Sequence, residues 1–189
     1  MKIYLIRHSS TIEGENNIIL GLLDGNLSEK GISDAENTGN YLENEKFGID
    51  VIITSKLKRA IDTGKIINKK LKLNIIENEL INERGAGNIE GQKENIINWE
   101  KYEEDPLELR KHKGGESFID VEKRVIKFVE SLKSFNYNNI LVISHSVVIL
   151  LLIKYYNNFS LKDALKYNIN NKIIIIDANT NTIESKLIY

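Results

Sequence analysis

No cysteine occurs anywhere in this chain, which excludes disulfides, thiol nucleophiles and thiolate metal sites and suits a reducing compartment, so a cytoplasmic location is expected. Proline occurs once, at Pro106, and no Pro- or Gly-rich linker interrupts the 189 residues; one domain over 1–189 is the expectation. No apolar run approaches the ~18 residues that a membrane helix needs. The first apolar run meets Arg7 too soon to read as a secretion signal. Charge of one sign is also missing: 26 basic against 27 acidic residues leave a formal charge of −1, so nothing global attracts nucleic acid or an anionic membrane. Internal repeats and low-complexity tails are absent as well.

What is present is an alternation of Ile- and Val-rich runs with helical patterns. Strands are predicted at Lys2–Ile6, Asp50–Thr54, Leu73–Glu77, Asn139–Ser144, Lys172–Asp177 and Ile183–Ile188. Between them, Ser28 starts a helix through about Lys46 with Ile32, Ala35 and Leu42 as its inward stripe. Ser55 is read as the cap of a second helix, in which Leu57, Ala60, Ile61, Gly64, Ile67 and Leu71 recur at helical spacing. From Ser117 to about Lys133 the apolar face is continuous, and Val147 to Tyr156 is apolar nearly all round, as a buried helix is. The pattern predicts an α/β fold: a three-layer sandwich whose central, mainly parallel sheet is flanked by helices and carries an antiparallel edge at the carboxyl end. The stretch 85–115 is the least regular and is the natural cover over a site.

Four polar segments each follow the carboxyl end of a predicted strand: Arg7-His8, Ser55 to Thr63 with Arg59, Asn82 to Gly91 with Glu83, and Ser144-His145. A parallel sheet brings such segments to one rim, where open α/β folds bind ligands. Two arginines, two histidines and a glutamate at one rim make a phosphate site by composition. Guanidinium forks match the oxygens of a phosphoryl group, and fixed cations stabilise the charge it spreads in the transition state. A neutral imidazole can attack phosphorus and carry the group until water takes it. A carboxylic acid such as Glu83 can give the leaving oxygen its proton.

Those residues, with Leu27-Ser28-Glu-Lys-Gly31 after Asp24, Gly87 and Glu90-Gly91 after Glu83, and the Gly114-Gly-Glu-Ser117 turn, occur in the order found in the histidine phosphatase superfamily. The chain resembles the smaller phosphatase branch of this phosphoglycerate-mutase-like group over roughly its first 150 residues. The resemblance implies that His8 is the phosphorylated nucleophile, that Arg7, Arg59 and His145 complete the phosphate pocket, that Glu83 is the proton donor, and that neither metal nor cofactor is needed. Ser146, where the family has Gly, is a candidate hydroxyl donor to the phosphate, and Thr11 is expected to cap or buttress the loop after His8 and touch phosphate only indirectly. The resemblance implies a metal-independent phosphomonoesterase acting on a small phosphorylated metabolite; among family members the α-ribazole phosphatases and broad-specificity phosphatases are the most similar, so α-ribazole 5′-phosphate is a candidate. Phosphoglycerate mutase-type transfer and a non-catalytic phosphate-binding module stay open as alternatives. The chain departs from the family pattern at Ser9-Ser10, Gly14, Asp62 and Ser146.

Other readings compete locally. Glu90 is a second candidate proton donor, and Glu83 can instead pair with Arg84 or Arg59. The basic run Leu109 to Lys113 is either a gate for an anionic substrate or a solvated loop, and Trp99 with Tyr102 reads as packing more readily than as a stacking platform. Tyr155-Tyr156 and the carboxyl-terminal strand are candidates for a homodimer contact. A pH optimum from mildly acidic to neutral is expected, with His8 neutral and Glu83 protonated together.

Overall fold

The computed structural model describes residues 1–188. Six strands form one sheet: β1 (Lys2–Arg7), β2 (Val51–Thr54), β3 (Ile75–Glu77), β4 (Asn139–Ser144), β5 (Lys172–Asp177) and β6 (Thr182–Leu187), in the spatial order β3-β2-β4-β1-β5-β6. The first four run parallel to one another, β5 lies antiparallel to β1 and β6 antiparallel to β5, as expected for the carboxyl-terminal edge. Seven helices connect them: α1 (Ile12–Glu15), α2 (Glu29–Glu45), α3 (Lys58–Leu71), α4 (Trp99–Glu103), α5 (Phe118–Leu132), α6 (Ser146–Asn157) and α7 (Leu161–Ala164).

Alternation along the strands splits the core into two layers, because successive side chains leave opposite faces of a pleated sheet. Ile3, Leu5, Val51, Ile53, Ile140 and Val142 meet Val121, Val125 and Phe128 of α5 and Leu152 of α6 on one face. Tyr4, Ile6, Ile52, Leu141 and Ile143 meet Ala60 and Ile67 of α3 and Leu42 of α2 on the other. Strand α/β runs buried on both faces account for the unbroken Ile/Val stretches of β1, β2 and β4. Helix α5 opens on a full capping box, in which Ser117 Oγ accepts from the Asp120 amide and the Asp120 carboxylate accepts from the Ser117 amide.

Two sequence expectations need correction. Ile32 is 43% exposed rather than inward. The buried stripe of α2 runs through Gly31, Ala35, Thr38, Gly39 and Leu42, and its small residues let the helix approach its neighbours more closely than an isoleucine could. At Gly31 a Cβ would lie 2.0 Å from the Ser10 carbonyl oxygen, so this glycine is what allows α2 to abut the loop after β1. Second, Ser55 does not cap α3, whose N-cap is Leu57; its hydroxyl is used elsewhere, as described below.

The irregular segment 85–115 is short 3₁₀ turns around α4, closed at its base by backbone pairing: Glu116 N donates to Gly85 O (2.8 Å) and Asn88 N to Lys113 O (2.9 Å). Gly87 sits at φ +63°, where a Cβ would come within 2.4 Å of the Gly115 nitrogen. Within the basic run Arg110 donates to the Asp105 and Glu103 carbonyls and His112 stacks on Tyr102 with ring centroids 4.7 Å apart, while Lys111 and Lys113 are exposed. Trp99 packs edge-on to both rings, consistent with its reading as packing.

Candidate active site

Register does most of the positioning. β1 and β4 are neighbours with Arg7 opposite Ser144, and the His8 amide donates to the Ser144 carbonyl at 2.9 Å. The next residue on each strand is a histidine, so His8 and His145 lie side by side with ring centroids 5.0 Å apart. β2 flanks β4, and the Ser55 amide donates to the Ile143 carbonyl, which sets Ser55 and the first turn of α3 at the same rim. Arg59, in that first turn, is buried at 2% exposure. Its guanidinium donates to the Gly21 and Leu23 carbonyls, each at 2.8 Å, which leaves the remaining N–H groups of the fork for another acceptor.

The tautomers follow from the partners, since a carbonyl oxygen can only accept. His8 Nδ1 lies 2.8 Å from the Ser9 carbonyl, so Nδ1 carries the proton and Nε2 keeps its lone pair. His145 Nε2 lies 2.7 Å from Ser55 Oγ, and the same oxygen is 3.3 Å from the Leu57 amide. With that amide donating to Oγ, the hydroxyl proton points to Nε2 and the imidazole proton falls on Nδ1. His145 Nδ1 is fully buried and has no partner. A buried N–H without an acceptor costs roughly 1–3 kcal/mol unless something supplies one, and an anion held between the two rings would.

Electrostatics agree with that arrangement. Burial, then Arg7, then Arg59 push the His8 imidazole down to about 3. His145 is also held well below the usual imidazole range by burial, then by His8, Arg59 and Arg7. Burial lowers Arg59 while Glu83 and Asp24 support its charge. Both imidazoles therefore stay neutral across the physiological range, and the field they sit in is cationic.

Of the other residues singled out in the sequence, Glu83 is half-buried, and its carboxylate accepts from the Arg84 amide at 2.9 Å. Its side chain does not pair with the Arg84 guanidinium, which lies 4.4 Å over the Phe118 ring and donates to Tyr102. Glu90 is engaged by two amides, Leu22 at 3.0 Å and Ala86 at 2.9 Å, and so ties two loops together. Thr11 is buried and caps α1, its hydroxyl accepting from the Gly14 amide. Ser146 is the first residue of α6, directly after His145. Arg7 is exposed, and with His8 it also lines a cleft of about 300 Å³ on the α2 side of the loop, away from Arg59 and His145.

Sequence reasoning missed three supports. Ser55 orients His145, as above. Thr63 accepts from the Ser9 amide at 3.0 Å and donates to the Arg59 carbonyl at 2.7 Å, coupling the loop after β1 to α3. Arg124 of α5 pairs in a bidentate fork with Glu116 and donates to the carbonyls of Leu80, Asn82 and Glu83, which fixes the backbone that carries Glu83. An arginine at the polar flank of an amphipathic helix is ordinarily solvated, so Arg124 carries no signal of its own in the sequence.

Two neutral imidazoles in the field of two guanidiniums at the carboxyl rim of a parallel sheet make a candidate anion site. Comparison with known proteins gives the class a family. The model of the histidine phosphatase superfamily (branch 1) matches residues 3–187, and the chain belongs to that family. Among curated relatives, the 2,3-bisphosphoglycerate-dependent phosphoglycerate mutase of Treponema denticola is 28% identical over 206 aligned positions, covering 89% of this chain and 83% of that protein. Among solved structures, the alpha-ribazole phosphatase of Shigella flexneri superposes with a TM-score of 0.87 at 24% identity, covering 99% of this chain and 95% of that one. Bacillus stearothermophilus YhfR superposes with a TM-score of 0.86 at 25% identity, covering 98% and 95%. No helix among the described residues is long and apolar enough to cross a membrane.

Proposed function

We propose that the protein is a metal-independent phosphomonoesterase that works through a phosphohistidine at His8. The observation that carries this reading is the His8 tautomer: Nδ1 is committed to the Ser9 carbonyl, so the lone pair falls on Nε2, in a ring that feels the charges of Arg7 and Arg59 and lies 5.0 Å from the His145 ring with its unpartnered Nδ1. In the first step Nε2 attacks phosphorus, the ester P–O bond breaks, and Glu83 gives its proton to the departing alkoxide. In the second, water attacks the phosphohistidine, the Glu83 carboxylate takes the water proton, and the P–N bond breaks to release inorganic phosphate. Arg7, Arg59 and His145 donate to the phosphoryl oxygens throughout, where charge grows in both transition states.

Hydrolysis is favoured over bisphosphate-dependent transfer by Arg84. This cation adjoins Glu83 but is turned onto Phe118 and Tyr102 instead of toward a second anionic group. Leu22 and Leu23, on the segment whose carbonyls hold Arg59, are 45% and 44% exposed and suit an uncharged leaving group. A small phosphorylated metabolite in the cytoplasm is the substrate class, with α-ribazole 5′-phosphate as the first compound to assay. The likeness to a phosphoglycerate mutase keeps transfer as the second reading. Wild type and H8A are incubated with p-nitrophenyl phosphate, with a metabolite panel, and with 3-phosphoglycerate with and without bisphosphate. Release of phosphate by wild type alone, together with an acid-labile phosphoenzyme, supports the proposal. Isomerisation that requires bisphosphate would replace it with the mutase reading, and phosphate binding without turnover would replace it with a binding module.

A further inference from the structure

Beyond the catalytic site, the open edge of the sheet carries a pattern that fits a second copy of itself. Strand β6 is the last in the sheet order, and no described element pairs with its outer side. The opposite edge, β3, spans three residues and turns directly into a 3₁₀ segment, so it offers little to pair with. β6 is twice as long, contains no proline and ends on Leu187, which is 65% exposed. Native edge strands of this length usually carry some device against pairing.

The phase of the ladder decides which groups face out. Ile188 N donates to Asn171 O at 3.0 Å, continuing the register in which Ile173 faces Lys186 and Ile175 faces Glu184. In an antiparallel pair the residues that exchange bonds alternate, so Thr182, Glu184, Lys186 and Ile188 turn their backbone groups toward β5. Ile183, Ser185 and Leu187 turn theirs outward. A two-fold axis through Ser185 pairs these outward groups without remainder: Ser185 with its own copy, and Ile183 with the second copy's Leu187 in both directions. The intervening positions then bring each Glu184 opposite the second copy's Lys186, in the closer, non-hydrogen-bonded type of pair. A lone edge lysine repels a second copy. Here the axis sets it against a carboxylate, while in its own chain it lies 3.7 Å from Glu45 and 5.2 Å from the Phe47 ring centroid.

We propose that β6 is a self-recognition strand and that two copies of this chain join through it into one continuous antiparallel seam with Ser185 on the axis. The partner is a second copy because the strand complements its own reverse in hydrogen bonding, in charge and in the burial of Leu187. The same axis runs perpendicular to the sheet, so the two histidine sites open toward opposite ends of the assembly and neither blocks the other.

Sedimentation and light scattering across a wide concentration range test this. Wild type is expected to reach twice the 21.6 kDa chain mass. E184K alone faces lysine with lysine and K186E alone faces glutamate with glutamate, so each runs as a monomer, whereas an equimolar mixture of the two restores the dimer mass. S185P removes an outward amide and also gives a monomer; circular dichroism confirms that each variant folds. A wild type that stays at one chain mass throughout overturns the proposal. So does a dimer that survives S185P and both single reversals, which would place the contact elsewhere on the surface.

Discussion

Acidification between about pH 7.5 and pH 5 should destabilise the fold through its two site histidines, and the size of the loss follows from their burial. An unfolded imidazole titrates near 6.5, and His8 in the folded chain titrates at about 3. A base whose folded value is lowered leaves stability untouched above the unfolded value and removes it as the pH falls, because the unfolded state alone gains the proton. At about pH 5 the unfolded imidazole is almost fully protonated and the folded one is not, and the difference is RT ln(1 + 10^1.5), about 2 kcal/mol. That figure hardly depends on the folded value: any value below about 4.5 gives nearly the same loss at that pH, since the unfolded imidazole sets it. His145 is shifted in the same direction, so it adds to the loss. The assay is urea unfolding in phosphate-free buffer, since an anion that binds the folded state would mask the slope. H8N should recover about 2 kcal/mol of the difference between the two pH values, and H8N/H145N should recover more than H8N alone. His112, lowered by burial and by Arg84, is present in every variant and cancels in the comparison. Wild type and double variant losing stability in parallel would refute the claim that these imidazoles are held neutral by the fold.

The same shift bears on catalysis: the acid side of the kcat/KM profile reports the free enzyme, so His8 should not set a limb above about pH 4, and any fall in rate there that persists in substrates of lower phosphate pKa would count against its depressed value. S55A should reduce kcat by about 10-fold or more and lower stability by about 1–3 kcal/mol, because the buried His145 Nε2 and Leu57 amide both lose their partner; stopped or steady-state turnover of p-nitrophenyl phosphate reads the first and the denaturation midpoint the second, and unchanged kcat would relegate Ser55 to packing. G31A should lower stability by about 1–3 kcal/mol and weaken phosphate affinity, since the new methyl meets the Ser10 carbonyl and must displace the loop after His8; denaturation midpoint and isothermal titration measure the two effects. R124M should lower both kcat and stability, by about 2–4 kcal/mol for the latter, as three carbonyls and the Glu116 carboxylate lose their donor.

The strands and the placement of the site were legible because they depend on local signals. Unbroken Ile/Val runs give the buried strands, and a polar pair at the end of each of β1 and β4 marks the rim, so Arg7-His8 and Ser144-His145 can be placed without knowing the register. The register that sets the histidines 5.0 Å apart is a matter of strand order, which the sequence expresses only through the family resemblance. Ile32 carries the hydrophobic signal of α2 but is too large for its contact face: the buried stripe belongs to Gly31, Ala35 and Gly39, which carry almost none. Ser55 looked like a helix cap because serine before a helical pattern usually is one, and only the neighbouring strand shows that its hydroxyl faces an imidazole instead. Arg124 and Thr63 act across separations of 41 and 54 residues, distances over which a single sequence says nothing about contact. The short helices α1 and α7, four residues each, lie below the length at which periodicity can be read.

The clasp at the base of segment 85–115 sets where this scaffold can diversify. Gly85 and Glu116 meet through backbone bonding, and Gly87 fits its backbone against Gly115, so the polypeptide leaves the sheet and returns to it at one point. Residues 86–94 also hold the 17–23 loop whose carbonyls engage Arg59, so an insertion is insulated from the histidine strands only beyond Glu94 and before Lys113. Lengthening such an excursion is thermodynamically mild, about 0.6 kcal/mol for each doubling. The length of this peripheral stretch can therefore drift while the rim that carries the two histidines is inherited intact.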